Sequence, residues 1–179
     1  MTALALPTSQ TKQPGMVSQY LIFSLGGELF AVGTLRVREI IEYGNITAVP
    51  MMPGFIRGVI NLRGAVVPVI DLNARFGRAK TDISRRTCIV ILEVQSDEDT
   101  HVLGIIVDAV SAVRQIDGSN IEPAPSFGTR IRADFIDGMA KVNGTFVILL
   151  DLGKVLSVDE ISMLHGMGGA GNQAHHIEG

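Results

Sequence analysis

The sequence lacks the features of secreted and membrane-spanning proteins. Its single cysteine, Cys88, excludes a disulfide within the chain and suits a reducing compartment. No apolar stretch approaches the roughly 18 residues that a membrane-spanning helix needs. Lys12 follows the short N-terminal apolar patch instead of preceding it, unlike the charge of a signal peptide. We therefore expect a cytoplasmic protein that does not insert into a membrane.

Aromatic residues are also scarce. Tryptophan is absent and aromatics make up 5% of the chain, although 46% of its residues are hydrophobic and 18% are charged. The core must then consist mainly of valine, isoleucine and leucine, which favours strands. Cys88 lies in such an apolar run, and this predicts a buried, inert thiol.

The net charge of −3 is too small to indicate a nucleic-acid or membrane partner, but it is unevenly distributed. Residues 57–86 carry a local charge of +5, which leaves −8 for the rest. This segment could hold ordinary solvated loop arginines, or it could form a docking face for an acidic partner. Its basic residues are Arg57, Arg63, Arg75, Arg78, Lys80, Arg85 and Arg86.

Short apolar runs separated by glycines and prolines fill the middle of the chain. Residues 1–17 are predicted to form a flexible leader and residues 166–179 a flexible tail. Between them the length of the runs and their branched residues predict strands. The predicted strands are 20–25, 29–32, 58–62, 65–70, 88–94, 102–107, 139–142 and 145–150.

An internal repeat is the most informative feature. Residues 55–72 shifted by 80 positions match 135–152 at seven of 18 positions, including Gly58 with Gly138 and Asp71 with Asp151. The first half of each unit aligns more weakly at a shift of 73, which pairs Ile40 with Val113. The difference places a seven-residue insertion in the loop 124–134.

Each repeat unit, about 19–76 and 87–157, has room for four or five strands, the size of a small closed barrel. The first unit opens with a hairpin closed by Gly26-Gly27, the second with a longer acidic loop at 96–100. We predict an all-β fold in which the two units form two barrel lobes of one domain, 18–157, with short helices.

The predicted helices are short. Asp71 and Asp151 each follow an apolar strand, where a carboxylate can accept the free N–H groups of a helix start. A C-terminal helix is predicted at 158–165.

Three other classes of function are poorly supported. Paired aspartates in a duplicated β protein suggest an aspartic protease, but Leu72 and Leu152 stand where that signature requires a small hydroxyl residue. The four histidines have no metal-ligand spacing, so no metal or other cofactor is expected. A nucleic-acid barrel needs aromatic platforms among its basic residues, and only Phe55 and Phe76 lie there.

What remains is a binding protein. The apolar loop 50–53 carries two methionines between prolines, and flexible methionine side chains adapt well to a partner. Equally, this loop could fold over the end of a barrel.

Five segments, which follow one another in the family's order, resemble the CheW family of chemotaxis adaptors. They read QYLIFSLGGE (19–28), LRVREI (35–40), FIRGVINLRG (55–64), VPVIDL (67–72) and GIIVDAV (104–110). The similarity extends from about residue 18 to 157. It implies two SH3-like five-stranded barrels around a shared core, in agreement with the repeat.

The resemblance implies a non-catalytic adaptor between chemoreceptors and a histidine kinase. Its expected partners are the regulatory domain of the kinase CheA and the cytoplasmic hairpin tip of the receptors, in arrays at the membrane, with a monomer in isolation. Residues matching family positions for receptor coupling are Val37, Glu39, Gly58, Arg63, Gly64 and Val113. Gly104 and Gly138 match kinase-side positions, or could be packing glycines.

Arg63 also stands out without the resemblance. The second repeat has Asn143-Gly144 at its hairpin turn, the preferred pair where both residues need positive φ. The first repeat has Arg63-Gly64 there, and arginine is the poorer choice. This predicts a functional side chain, with Glu39 as its acidic neighbour.

Overall fold

The computed structural model of the chain describes residues 16–96, 99–123 and 133–155. The strands are β1 (Val17–Leu25), β2 (Glu28–Gly33), β3 (Val37–Glu42), β4 (Ile56–Leu62), β5 (Ala65–Asp71), β6 (Cys88–Ser96), β7 (Asp99–Val107), β8 (Ala109–Asp117), β9 (Ile121–Glu122), β10 (Ile136–Val142) and β11 (Thr145–Leu150). The helices are α1 (Leu72–Arg75) and α2 (Leu152–Val155). The predicted tail, C-terminal helix and most of the leader and of the insertion lie outside the described residues.

All eight predicted strands are confirmed, with some extension at their ends. Val17, which we expected in the leader, begins β1. The sequence analysis missed β3, β8 and the two-residue β9. In β3 half-buried and exposed positions alternate, and the exposed ones include Arg38 and Glu42. Strands with one solvated face carry few consecutive apolar residues, so a search for apolar runs overlooks them.

The strands form two mixed sheets. Lobe I is the sheet β3-β6-β7-β5-β4, and lobe II is the sheet β8-β1-β2-β11-β10-β9. The all-β fold is therefore confirmed. However, the expectation that each repeat unit forms its own lobe is wrong. Each lobe takes its central hairpin, β1–β2 or β6–β7, from the other unit.

The chain crosses between the lobes over very short links. A single residue, Asp108, separates β7 from β8, and a 3₁₀ turn (Thr34–Arg36) separates β2 from β3. Asp108 is held at its crossing because its N–H donates to Ser24 O at 2.9 Å and its Oδ2 accepts from Gly26 N at 2.7 Å. Each link thus continues a strand from one sheet into the next.

Each sheet closes on itself. The segment that begins as β3 beside β6 ends beside β4, where Thr47 and Val59 exchange two backbone hydrogen bonds of 2.8 Å. In lobe II, the continuous segment β8–β9 pairs with β1 at its start and β10 at its end. Its two strands are parts of one, interrupted at Gly118–Asn120, so both lobes are five-stranded barrels.

Among the described residues, buried apolar side chains form three clusters. One lies inside lobe I, around Ile89, Ile91 and Ile106, and one inside lobe II, around Ile22 and Val147. The largest cluster takes residues from both sheets and packs the lobes together. It contains a row of rings whose neighbouring centroids lie 5.7–6.2 Å apart: Phe23, Phe30, Phe76 and Phe135. Such ring pairs contribute beyond their buried area.

Candidate interaction surfaces

The β4–β5 turn has the backbone that the repeat predicted. Arg63 and Gly64 have φ of 52° and 88°, and Asn143 and Gly144 in lobe II have 52° and 81°. Asn61 Oδ1 accepts a hydrogen bond from the Gly64 N–H at 2.8 Å, and this bond stabilises the β4–β5 turn of lobe I. Arginine adopts this conformation at a cost of about 1 kcal/mol relative to asparagine or glycine.

Arg63 forms an ion pair with Glu39 on β3. Both guanidinium NH groups donate to the two carboxylate oxygens, with Nη1 lying 3.5 Å from Oε1. The Arg63 side chain remains 71% exposed, and exposed ion pairs contribute little to stability, typically below about 1 kcal/mol. The pair therefore orients an accessible cation at the rim of lobe I and does little to hold the fold.

Gly58 and Gly138 have equivalent places in the two lobes. Each lies at a β-bulge where the closing segment of its barrel approaches. A Cβ on Gly58 would overlap the carbonyl oxygen of Thr47, and a Cβ on Gly138 would lie 2.6 Å from Ile121 Cγ2. Gly58 also has φ of 153°. The resemblance assigned these two glycines to different partners, yet both allow barrel closure.

Gly104 is a buried packing position in β7. A Cβ there would lie 2.7 Å from Ile89 Cγ2, inside lobe I. Since Gly104 and Gly138 are both buried, neither presents a surface of its own. Their contribution to kinase binding stays a prediction that can operate only through the shape of their lobes.

Val37 and Val113 lie along the core shared by the lobes. Val37 packs against that core from β3, whereas Val113 is 54% exposed opposite Leu21, a member of the shared core. Directly paired residues face the same side of a sheet, so Val113 extends the apolar surface between the lobes to solvent. Ile40, opposite Val90, does the same from lobe I and is 43% exposed.

The sequence analysis did not select Ile40. The repeat alignment pairs it with Val113, and that correspondence could have identified it. The structure brings Glu39, Arg63 and Gly64 together at the rim of lobe I, with Val37 on the same strand as Glu39. Gly58 lies at the closure of lobe I, and Val113 lies on lobe II.

Four arginines of the basic segment are bound within the protein. Besides Arg63, Arg57 pairs with Asp71, Arg75 donates to Val155 O at 2.7 Å, and Arg78 pairs with Glu28. Neither of our interpretations, solvated loop or docking face, describes Arg57, Arg75 and Arg78, whereas the exposed Arg63 remains available for docking. The segment's remaining basic residues, Lys80, Arg85 and Arg86, are exposed.

The Asp71 carboxylate is buried and fully engaged. It caps α1 by accepting from Asn73 and Ala74 N–H, and it accepts from Thr81 N–H at 2.9 Å, Thr81 hydroxyl at 2.7 Å and Arg57 at 2.7 Å. Burial by itself would raise the pKa of Asp71, but the hydrogen bonds from Thr81 and Arg57 outweigh it and lower that pKa.

The structure also tests the expectations for the cysteine, the methionine loop, metal binding and membrane insertion. We expected a buried, inert thiol at Cys88, but this residue is half-buried. The apolar loop 50–53 is divided: Met51 is wholly exposed and Met52 packs against the shared core. Within residues 16–96, 99–123 and 133–155, no three His, Cys, Asp or Glu side chains are grouped to hold a metal. No helix in this described part is long and apolar enough to cross a membrane.

Comparison with known proteins decides the family. A family model described as a CheW-like domain matches residues 19–160. The chain belongs to the CheW family. It is similar to the chemotaxis protein CheW of Klebsiella aerogenes, 34% identical over 82% of this chain and 86% of that protein. It is also similar to CheW of Rhizobium meliloti, at 32% identity over 79% and 89% of the two chains.

A solved CheW structure also matches. The crystal structure of the scaffolding protein TtCheW from Thermoanaerobacter tengcongensis is similar with a TM-score of 0.72 and 35% identity, over 89% of this chain and 96% of that one. Protein FrzA of Myxococcus xanthus is 29% identical over 77% of this chain. The CheW family and the CheW fold are therefore shown for this chain.

Proposed function

We propose that this CheW-like chain is a cytoplasmic, non-catalytic adaptor that couples chemoreceptors to the histidine kinase CheA. The main supporting observation is an accessible Arg63, held by Glu39 at the rim of one lobe on a backbone that suits arginine poorly. A side chain kept at a local cost is a candidate for binding.

The receptor partner is the cytoplasmic hairpin tip, an antiparallel helix pair. Helices dock by placing apolar side chains in a groove. Ile40 and Val113 supply exposed apolar positions from both lobes beside the shared core, and Val37 lines it. Gly58 and Gly64 contribute by setting the backbone that carries these groups. In this arrangement the receptor contacts the lobe margins, and the Arg63–Glu39 pair adds orientation.

The kinase partner is the regulatory domain of CheA, with Gly104 and Gly138 acting through the shape of their lobes. Alone, the adaptor is a monomer or associates weakly, and it joins receptor arrays at the membrane. We expect titration calorimetry with the kinase regulatory domain to give a dissociation constant of roughly micromolar size, strengthened in the array by multivalency. If titration at about tens of micromolar, above the expected constant, gives no heat and the two proteins do not co-elute, that kinase is excluded as a partner.

The alternative functions lack a specific supporting observation. All strong acceptor positions of Asp71 are used within lobe I, which is unlike a catalytic carboxylate that must reach substrate. Phe76 is buried, and Phe55 is half-buried against Arg75, so neither offers the open ring that stacking on a nucleotide base requires.

Arg63→Asn separates binding from folding. Asparagine favours the positive φ of this turn, so we expect unchanged or slightly higher thermal stability. Receptor-hairpin pull-down should weaken at least several-fold, while kinase binding is retained. The matched control is Arg86→Asn, which removes an exposed arginine from the β5–β6 connection. This change should alter neither thermal stability nor receptor binding. Undiminished receptor binding by Arg63→Asn would contradict the role of Arg63, and a loss of folding would show it to be structural.

A further inference from the structure

Three described positions place an aspartate or asparagine directly before a glycine: Asp117-Gly118, Asp137-Gly138 and Asn143-Gly144. Such pairs can cyclise because a glycine leaves its backbone nitrogen sterically accessible. In that reaction the glycine nitrogen attacks the side-chain carbonyl carbon of the preceding residue. The neutral amide of asparagine is a better electrophile than an ionised aspartate carboxylate, which favours Asn143-Gly144, and the hydrogen bonds of the folded protein add to this difference.

The structure protects the two aspartate pairs. The Gly118 N–H donates to Met16 O at 2.7 Å, and the Asp117 carboxylate accepts from the Ser119 N–H and hydroxyl, each at 2.8 Å. Gly138 is buried in the β10 ladder, where the Ile121 side chain and Glu122 backbone approach it. Attack in either place would first require these contacts to break.

Within the described residues, the Asn143-Gly144 turn is neither buried nor held by hydrogen bonds of this kind. Both residues are exposed, and a Cβ built on Gly144 would meet nothing within 4 Å. In lobe I the equivalent Gly64 N–H is bound by Asn61 Oδ1, but the residue at the corresponding place in lobe II is Lys141, which has no acceptor atom. No other group in the described ranges accepts the Gly144 N–H, so this nitrogen is available to react.

We propose that Asn143 is a site of spontaneous deamidation and isomerisation in the folded protein. The Gly144 nitrogen forms a bond to Asn143 Cγ, the bond from Cγ to the side-chain amide nitrogen breaks, and ammonia leaves with the proton lost from Gly144. Solvent water then adds to either carbonyl of the cyclic imide, and ring opening yields aspartate or isoaspartate. No oxidant, reductant or enzyme takes part.

The products alter the tip of lobe II. Either one adds a carboxylate at the position where lobe I carries the cationic Arg63. Isoaspartate also lengthens the backbone by one methylene in a turn with two residues between Val142 and Thr145, a length on which hairpin register depends. Phe146, 55% exposed beside this turn with Lys141 over its ring, lies on the altered surface.

Peptide mapping of the intact protein incubated at mildly alkaline pH tests the proposal. We expect the mass gain of amide-to-acid conversion to accumulate on the peptide containing Asn143 at least several-fold faster than at the four other described asparagines. Asn143→Arg, which copies the Arg63 turn, should abolish that gain without loss of fold. An equal or slower rate at Asn143 than at Asn45 or Asn120 would overturn the proposal.

Lys141→Asn tests the structural cause by giving Gly144 the acceptor that Asn61 provides to Gly64. In the folded protein this change should slow deamidation several-fold, whereas in urea the variant and the parent should react at equal rates. A folded variant that reacts as fast as the parent would show that the open N–H does not select the site. A difference that persists in urea would contradict the hydrogen-bond explanation in the same way.

Discussion

Gly58→Ala should destabilise the protein by about 4 kcal/mol, a sum of overpacking and backbone strain. The new Cβ would overlap the Thr47 carbonyl oxygen and lie 2.8 Å from Ile46 Cγ2, at a backbone φ of 153° that side chains rarely adopt. Relief of the overlap would break the Thr47–Val59 hydrogen bonds that close lobe I. Thermal melting should record a fall of roughly 10 °C.

Alanine substitutions at two other glycines should reduce stability less than Gly58→Ala. Gly138→Ala removes the same kind of space in lobe II, but its nearest neighbour is a movable Ile121 methyl and its φ is not positive, so the loss should be smaller. Gly33→Ala has open space and φ of −62°, and it should be neutral or slightly stabilising. Equal melting temperatures for the Gly58 and Gly33 variants would contradict the closure explanation. A stable Gly58→Ala protein that fails to bind receptor would instead support a direct binding role.

Asp71→Ala should cost about 4 kcal/mol because it leaves the Arg57 guanidinium without its buried partner and removes the cap of α1. Asp151→Ala is the matched control at the equivalent position of the repeat. Its carboxylate accepts the Lys154 N–H at 3.2 Å in an exposed site, so the expected loss is about 1 kcal/mol. Urea unfolding of both variants at neutral pH measures the difference, and similar losses would contradict the special role of Asp71.

The same network predicts a pH dependence. The pKa of Asp71 is lower in the folded state than its ordinary value of 3.8, so the unfolded chain takes up the proton first as pH falls. The stabilisation is therefore complete well above pH 3.8 and is lost progressively as pH falls through the folded-state pKa. The stability gap between the native protein and Asp71→Ala should narrow on acidification. Asp71→Asn is a milder variant that should retain the fold, and the difference between its stability and that of the native protein should also narrow on acidification. A gap independent of pH would contradict the assignment.

Part of the candidate surface could be predicted from the sequence because it depends on local chemistry. Positive φ at Arg63-Gly64 follows from the turn of the second repeat, and Asp71 was recognised as a cap from its place after an apolar strand. The Arg63–Glu39 pair was expected, although these residues are 24 positions apart. The Arg57–Asp71–Thr81 network was not expected, since it joins a strand, a helix start and a loop that share no sequence pattern.

The sequence by itself determined eight of the eleven described strands, the repeat, the tight turns and the resemblance to the family. The strands and turns are recorded in neighbouring residues, as branched apolar runs and paired glycines, and the repeat is recorded in matching residues 80 positions apart. Only the tertiary structure decided which strands share a barrel. Apolar periodicity states that a strand has a buried face but not which strand covers it. Here the one-residue link at Asp108 and the turn Thr34–Arg36 carry strands from one sheet into the other, so each lobe takes a hairpin from the opposite unit. Gly58 and Gly138 have their role for the same reason, because the need for a missing side chain arises only where a distant segment closes the barrel.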